Sequence, residues 1–125
     1  MSLREQILAA DDLPVEEVEV PEWGVTVWVR SLMAHERDAL EAVFLRDSEA
    51  SLENLRARLC AMCIVDENGE RVFTDADAQV LGRKSARALD RVFEVAQRLN
   101  GMSARDVDDL VGNSATGPSG SSASS

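Results

Sequence analysis

Val18-Glu19-Val20-Pro21-Glu22-Trp23-Gly24-Val25-Thr26-Val27-Trp28-Val29-Arg30 is the stretch from which the fold can be read. Apolar and polar side chains alternate on both sides of Pro-Glu-Trp-Gly, and a period of two marks a half-buried strand. Val18 and Val20 share one face, and Val25, Val27 and Val29 share one face beyond the turn. Pro21 presets the backbone where the turn starts, and Gly24 is free to take a positive φ. The pattern predicts a β-hairpin. Both tryptophans of the chain lie in it. The alternation sends Trp23 and Trp28 to opposite faces, so unequal burial is expected of them.

Outward from the hairpin the period changes. Leu40, Val43 and Phe44 are spaced i, i+3, i+4, which predicts a helix over Ala34–Arg46. Polar residues Asp47 to Ser51 read as a connection. Leu52, Leu55, Leu59, Met62 and Cys63 then form an apolar stripe on a second helix. Asn68-Gly69 is a tight-turn signal that follows it, and Val72-Phe73 is expected to add a short extended segment. Thr74 and Asp77 have capping-box spacing before a short helix that Gly82 closes. A long helix is predicted over Ser85–Asn100, with Leu89, Val92, Phe93, Ala96 and Leu99 on one face. Ser103 and Asp106 open a last helix. At the other end, Ser2 and Glu5 box a helix of about two turns, too short to be stable alone and so expected to dock.

The expected architecture is α+β and mainly helical, an N-terminal β-hairpin packed on four to five short helices. A single domain is assigned to residues 1–112. Residues 113–125 are Ser, Gly, Ala, Thr, Asn and one Pro. They carry too little apolar surface to offset ordering entropy, and a flexible, disordered C-terminal tail is expected.

Charge narrows the function classes. The formal net charge is −10 over 125 residues, and a chain this acidic is repelled by phosphate backbones and anionic lipid surfaces. No nucleic acid or membrane partner is expected. The first residues lack the blocks of a signal peptide and no apolar run is long enough to span a bilayer, so a cytoplasmic location is expected. The two cysteines, Cys60 and Cys63, do not make a disulfide framework.

Candidate chemistry is sparse. Cys60-Ala-Met-Cys63 falls at the end of an amphipathic helix, whereas a redox CxxC opens a helix after a strand. Zinc needs further ligands, and His35 is the single histidine. Asp66-Glu-Asn68-Gly69 is too short and wrongly spaced for a calcium loop. His35 beside Glu36 has neither a nucleophile nor a matched carboxylate to work with. No catalytic, cofactor or metal residues are assigned, and the chain is not expected to be an enzyme. Lys84, Arg87, Arg91 and Arg98 do form a basic ridge at i, i+3, i+7 and i+14. It reads as a solvated face with local ion pairs, or as a receiver for an acidic surface. The six acids between Asp11 and Glu22 offer such a surface, within the molecule or on a neighbouring copy. Head-to-tail self-association would then join Glu16, Glu17 and Glu19 to Lys84, Arg87 and Arg91.

Six segments of the chain together resemble the tail assembly chaperones of long-tailed (siphovirus-type) bacteriophages or prophages. They are LREQILAADDLP, VEVPEWGVTVWVRSL, HERDALE, CIVDENGERVF, TDADAQVLGRKS and LNGMSARDVDDL, in that order up to Gly112. The resemblance implies a small, mainly helical protein that coats the tape measure protein, keeps it soluble and helps recruit tail tube subunits. It also implies host cell cytoplasm as the place of action, absence from the mature virion, and no catalytic residues. A frameshifted longer form occurs in many relatives. A holdase needs exposed apolar surface framed by charge, and Trp23, Trp28 and Val29 are the expected partner-binding residues, one tryptophan facing the partner. The rival reading is a small acidic regulatory adaptor or inhibitor of a basic, nucleic-acid-binding protein.

Overall fold

A computed structural model describes residues 1–46 and 51–112. The expected connection at 47–50 and the expected tail at 113–125 lie outside the described residues.

The alternating stretch folds as predicted and starts earlier than its clearest part. Strands β1 (Val15–Val20) and β2 (Val25–Arg30) pair antiparallel, from Val15 opposite Arg30 to Val20 opposite Val25. Pro21–Gly24 closes the hairpin, with Trp23 N–H donating to Val20 O at 3.0 Å and Gly24 N–H to Pro21 O at 3.1 Å. Gly24 sits at φ 67°, the left-handed region that a side chain disfavours.

Helix α1 (Leu3–Ala9) precedes the hairpin; α2 (Ala34–Arg46) and α3 (Leu52–Cys63) follow it. A single turn of 3₁₀ helix at Asp75–Asp77 then runs into α4 (Ala78–Leu81), before α5 (Ala86–Leu99) and α6 (Ala104–Leu110). The hairpin gains a third strand that no alternation announces. Ile64–Val65 leaves the end of α3 as β3 and pairs antiparallel with β2, Val29 opposite Ile64 and Trp28 opposite Val65. Both residues are β-branched and buried, which suits a strand, but two residues are too few to show a period. The extended segment expected at Val72-Phe73 reduces to a bridge from Arg71 to Val65 and one bond from Val72 N–H to Ile64 O.

The core lies between the sheet, α3 and α5. Val18, Val20 and Val29 from the strands meet Leu55, Leu59, Cys60 and Cys63 from α3 and Leu89, Val92 and Ala96 from α5. The apolar stripes of α3 and α5 follow the predicted spacing with one correction: Leu52, at the first turn of α3, is 49% exposed, and Ala57, Cys60 and Ala61 are buried with the stripe. Ser51 and Ser85 cap the two helices by accepting from Asn54 N–H and Ala88 N–H.

Helix α1 departs from expectation. Its capping box forms as the sequence requires, Ser2 and Glu5 exchanging both bonds. Yet none of its residues is buried, and Leu3 and Ile7 are 71% and 62% exposed. The local signal for a helix was complete; the surface it docks against is not supplied by its own fold.

Candidate functional site

Cross-strand partners share a face, so the register assigns every hairpin side chain to one side of the sheet. Glu16, Val18 and Val20 lie with Val25, Val27 and Val29 on the inner side, against α5. Val15, Glu17 and Glu19 lie with Arg30, Trp28 and Thr26 on the outer side. The two tryptophans divide accordingly. Trp23, in the turn, packs against the core cluster alongside Val27 and Phe73. Its Nε1 is buried with no hydrogen-bond partner among the described residues. Trp28 is half-buried and stands outside that cluster, flanked across the strands by Glu17 and Val65. Val29 is 0% exposed, so it offers a partner no surface and serves the site only from beneath.

Beyond Val65 the outer side opens into a groove of about 630 Å³, with Leu13, Val15 and Met33 on its apolar walls. Arg30 forms its floor. The guanidinium donates to both oxygens of Glu36, at 2.8 and 2.9 Å, and to Met62 O at 3.2 Å. Glu36 also accepts from Met33 N–H at 2.9 Å, which ties the start of α2 to the end of β2. The Arg30 bonds hold the Glu36 carboxyl below the ordinary carboxylate range against the opposing effect of burial. The same pairing raises the Arg30 guanidinium. Glu36 is therefore committed to structure, its carboxyl held by Arg30 and by Met33 N–H, and His35 beside it is exposed.

The acidic arm and the basic ridge meet inside the chain. Arg91 donates to both oxygens of Glu22, at 2.9 and 3.1 Å, and Arg98 donates to Glu16 at 2.7 Å. These bonds lower both carboxyls and raise both guanidinium groups. Of the other residues expected to mediate self-association, Glu17, Glu19, Lys84 and Arg87 form no ion pair among the described residues.

The remaining candidates are structural. Burial pushes the Cys63 thiol up to about 12 and the Cys60 thiol higher still, so neither is a thiolate at neutral pH. Asp66 spends Oδ1 on the N–H groups of Asn68 and Glu70, at 2.8 and 3.0 Å, which makes its loop a closed turn. Among the described residues no group of three or more His, Cys, Asp or Glu is arranged to hold a metal ion. None of the described helices is long and apolar enough to cross a membrane.

What sequence reasoning missed is the company of Trp28. Val65 lies across from it, and the groove beyond draws Leu13 with Val15, Met33 and Val65 from three separate segments. The one local signal was the parity of Val15 with Glu17 and Glu19, two and four residues along the same strand. No curated protein and no solved structure matches the chain. The family model described as phage tail assembly chaperone matches residues 2–110, nearly the whole described fold. The chain belongs to the phage tail assembly chaperone family.

Proposed function

We propose that the chain binds the tape measure protein in the host cell cytoplasm, keeps it soluble and helps recruit tail tube subunits, by reversible non-covalent contact. The observation that carries the reading is the position of Trp28, half-buried on the outer side of the sheet and outside the core cluster. An indole with Glu17 opposite it and Glu19 on the same side suits an apolar helix that carries Lys or Arg. The ring contributes large contact area at low entropy cost, and the carboxylates favour a basic flank. The groove past Val65 extends the same side with aliphatic wall. No covalent step is involved, and the residues named act only by contact.

Co-expression with the tape measure protein of the same phage or prophage tests the reading. The wild type is expected to bring that protein into the soluble fraction and to co-purify with it. Trp28→Ala is expected to fold and to lose the complex. If the tape measure protein stays insoluble with the wild type, or if Trp28→Ala retains full solubilising activity, the assignment of this surface is wrong.

A further inference from the structure

Strand β1 is one edge of the sheet, whose order is β1-β2-β3. Successive residues of an antiparallel strand turn their backbone groups alternately to one neighbour and the other. Ser31 N–H donates to Pro14 O at 3.1 Å, which makes Pro14 and Ser31 a bonded pair. The register then makes Glu16–Val29, Val18–Val27 and Val20–Val25 the bonded pairs that follow. Val15, Glu17 and Glu19 therefore aim their N–H and C=O groups away from β2. None of those groups has a hydrogen-bond partner among the described residues, and no residue of α1 is buried against them.

An open edge is a template for another strand, and folded proteins blunt it with proline, a bulge, a very short strand or charge. Pro14 and Pro21 stand just outside β1, and the register runs unbroken through its six residues, about 20 Å of edge. Charge is the device that remains, in Glu16, Glu17 and Glu19.

Charge of one sign blunts an edge selectively. Paired with β1 of a second copy, the strand would set glutamates opposite or diagonal to glutamates, which is destabilising. A strand that carries cations meets the reverse. Glu17 and Glu19 are exposed on the outer side and form no ion pair among the described residues. On the inner side the charges are already matched, since Glu16 accepts from Arg98 and Glu22 from Arg91. A cation added there would face arginine. The edge thus selects by position as well as by sign, with positive side chains accepted at every second residue.

We propose that the edge of β1 takes up an extended segment of a partner protein in which Lys or Arg alternates with apolar residues. Main-chain groups of that segment pair with those of Val15, Glu17 and Glu19, the mode in which a peptide adds a strand to a sheet. Its cations lie beside Glu17 and Glu19 on the outer side, and its apolar side chains extend the face of Val18 and Val20. The sheet grows to four strands. This contact runs along the backbone of β1 and takes a strand, whereas the face at Trp28 suits a helix.

Amide hydrogen exchange of the full chain with a synthetic peptide of alternating Lys and Val tests it, so the result is independent of tape measure binding. In the chain alone, the N–H groups of Glu16, Val18 and Val20 should be protected and those of Val15, Glu17 and Glu19 should exchange freely. Excess peptide is expected to slow exchange at Val15, Glu17 and Glu19 by about tenfold or more, and by less as salt is raised. The same peptide N-methylated at each lysine keeps its charge but cannot donate to β1, and should give no protection. A peptide of the same composition with its lysines contiguous should also give none. Glu17→Lys with Glu19→Lys, at two exposed positions, should lose the response to the Lys–Val peptide and gain one to a Glu–Val peptide. Absence of protection by the alternating peptide overturns the proposal. So does equal protection by the N-methylated or the contiguous peptide, which would mean attraction of charge without a shared ladder. Slow exchange at Val15, Glu17 and Glu19 in the chain alone, deepening with its concentration, would put a second copy on the edge and equally overturn it.

Discussion

The inner and outer sides of the hairpin come from the same two alternating strands, yet they are built to opposite ends. On the inner side Val18, Val20 and Val29 are sealed beneath α5, and the ion pairs Glu22–Arg91 and Glu16–Arg98 stitch the margin of that seal. On the outer side Glu17, Glu19, Thr26 and Trp28 stand without a covering helix, and the one firm anchor is the Arg30–Glu36 pair at the edge. Alternation guarantees that the two sides differ; it does not say which is covered. The covering is decided by α5, whose apolar face of Leu89, Val92, Phe93 and Ala96 is contributed some sixty residues later. A side chain on the inner face is thus held by stability, and one on the outer face is free to be held by a partner.

The comparison breaks most visibly on the inner side. Leu89 of α5 is 2% exposed in the core beneath the inner side, and Leu89→Ala should cost about 2–5 kcal/mol through lost transfer energy and the cavity left behind. Urea denaturation should show a lower midpoint with an unchanged slope. An effect below about 1 kcal/mol would mean that α5 is not what seals the inner face.

The anchor of the outer side should rank next. Glu36→Gln removes a carboxylate that accepts two bonds from Arg30 and leaves that guanidinium, 7% exposed as a residue, short of its counter-charge. A loss of about 2 kcal/mol is expected, the scale of hydrogen bonds to a charged group. The pH dependence has a definite sign. The Glu36 carboxyl titrates below 4.5 in the folded chain, so its contribution is whole above that value and fades as the pH falls through the lowered one. Chemical denaturation across pH 3 to 7 should therefore give a shallower acid limb for Glu36→Gln than for the wild type. Parallel limbs would show that the pair adds nothing.

How much of this was legible in the sequence follows from how local each signal is. The hairpin could be read because alternation, Pro21 and Gly24 lie within thirteen residues. The stripes of α3 and α5 could be read for the same reason, since Leu55, Leu59 and Cys63, or Leu89, Val92 and Ala96, recur within one helix. Strand β3 could not, because Ile64–Val65 becomes a strand only by lying against Trp28 and Val29. Nor could the freedom of α1, whose cap is local while its missing partner is not. The candidate site sits at the same limit. Trp23 and Trp28 could be sent to opposite faces, but only the tertiary packing tells that Trp23 lies against the core and Trp28 does not.

Trp28→Ala sharpens the comparison because stability and binding should separate there. Its cross-strand contact with Val65 is of a kind that contributes roughly 0.2–1 kcal/mol, so the folded chain should lose about that much. Recovery of the tape measure protein in the soluble fraction should nonetheless collapse. A loss of stability on the scale of Leu89→Ala would place Trp28 with the inner side instead.

The smallest change should come from the carboxylates around it. Glu17 and Glu19 are exposed and form no ion pair among the described residues. Replacing both by Gln therefore breaks no ion pair; it relieves some repulsion in a chain of net charge −10 and gives up the weaker attraction of Glu19 for Arg91. The unfolding midpoint should stay where it is or rise slightly. Binding should respond in another way, since charges at the rim of a contact act mainly on the rate of encounter and on its dependence on salt. With Glu17→Gln and Glu19→Gln together, capture of the tape measure protein should weaken at low ionic strength and converge on the wild type as salt is raised and screening removes the difference. The inner-side acids provide the contrast within one strand. Glu16→Gln breaks a bond to Arg98, so its effect should appear in denaturation and not in the salt dependence of capture. If Glu16 and Glu17, neighbours on opposite sides of β1, behaved alike in both measurements, the division between a held face and a displayed face would fail at the residues that define it.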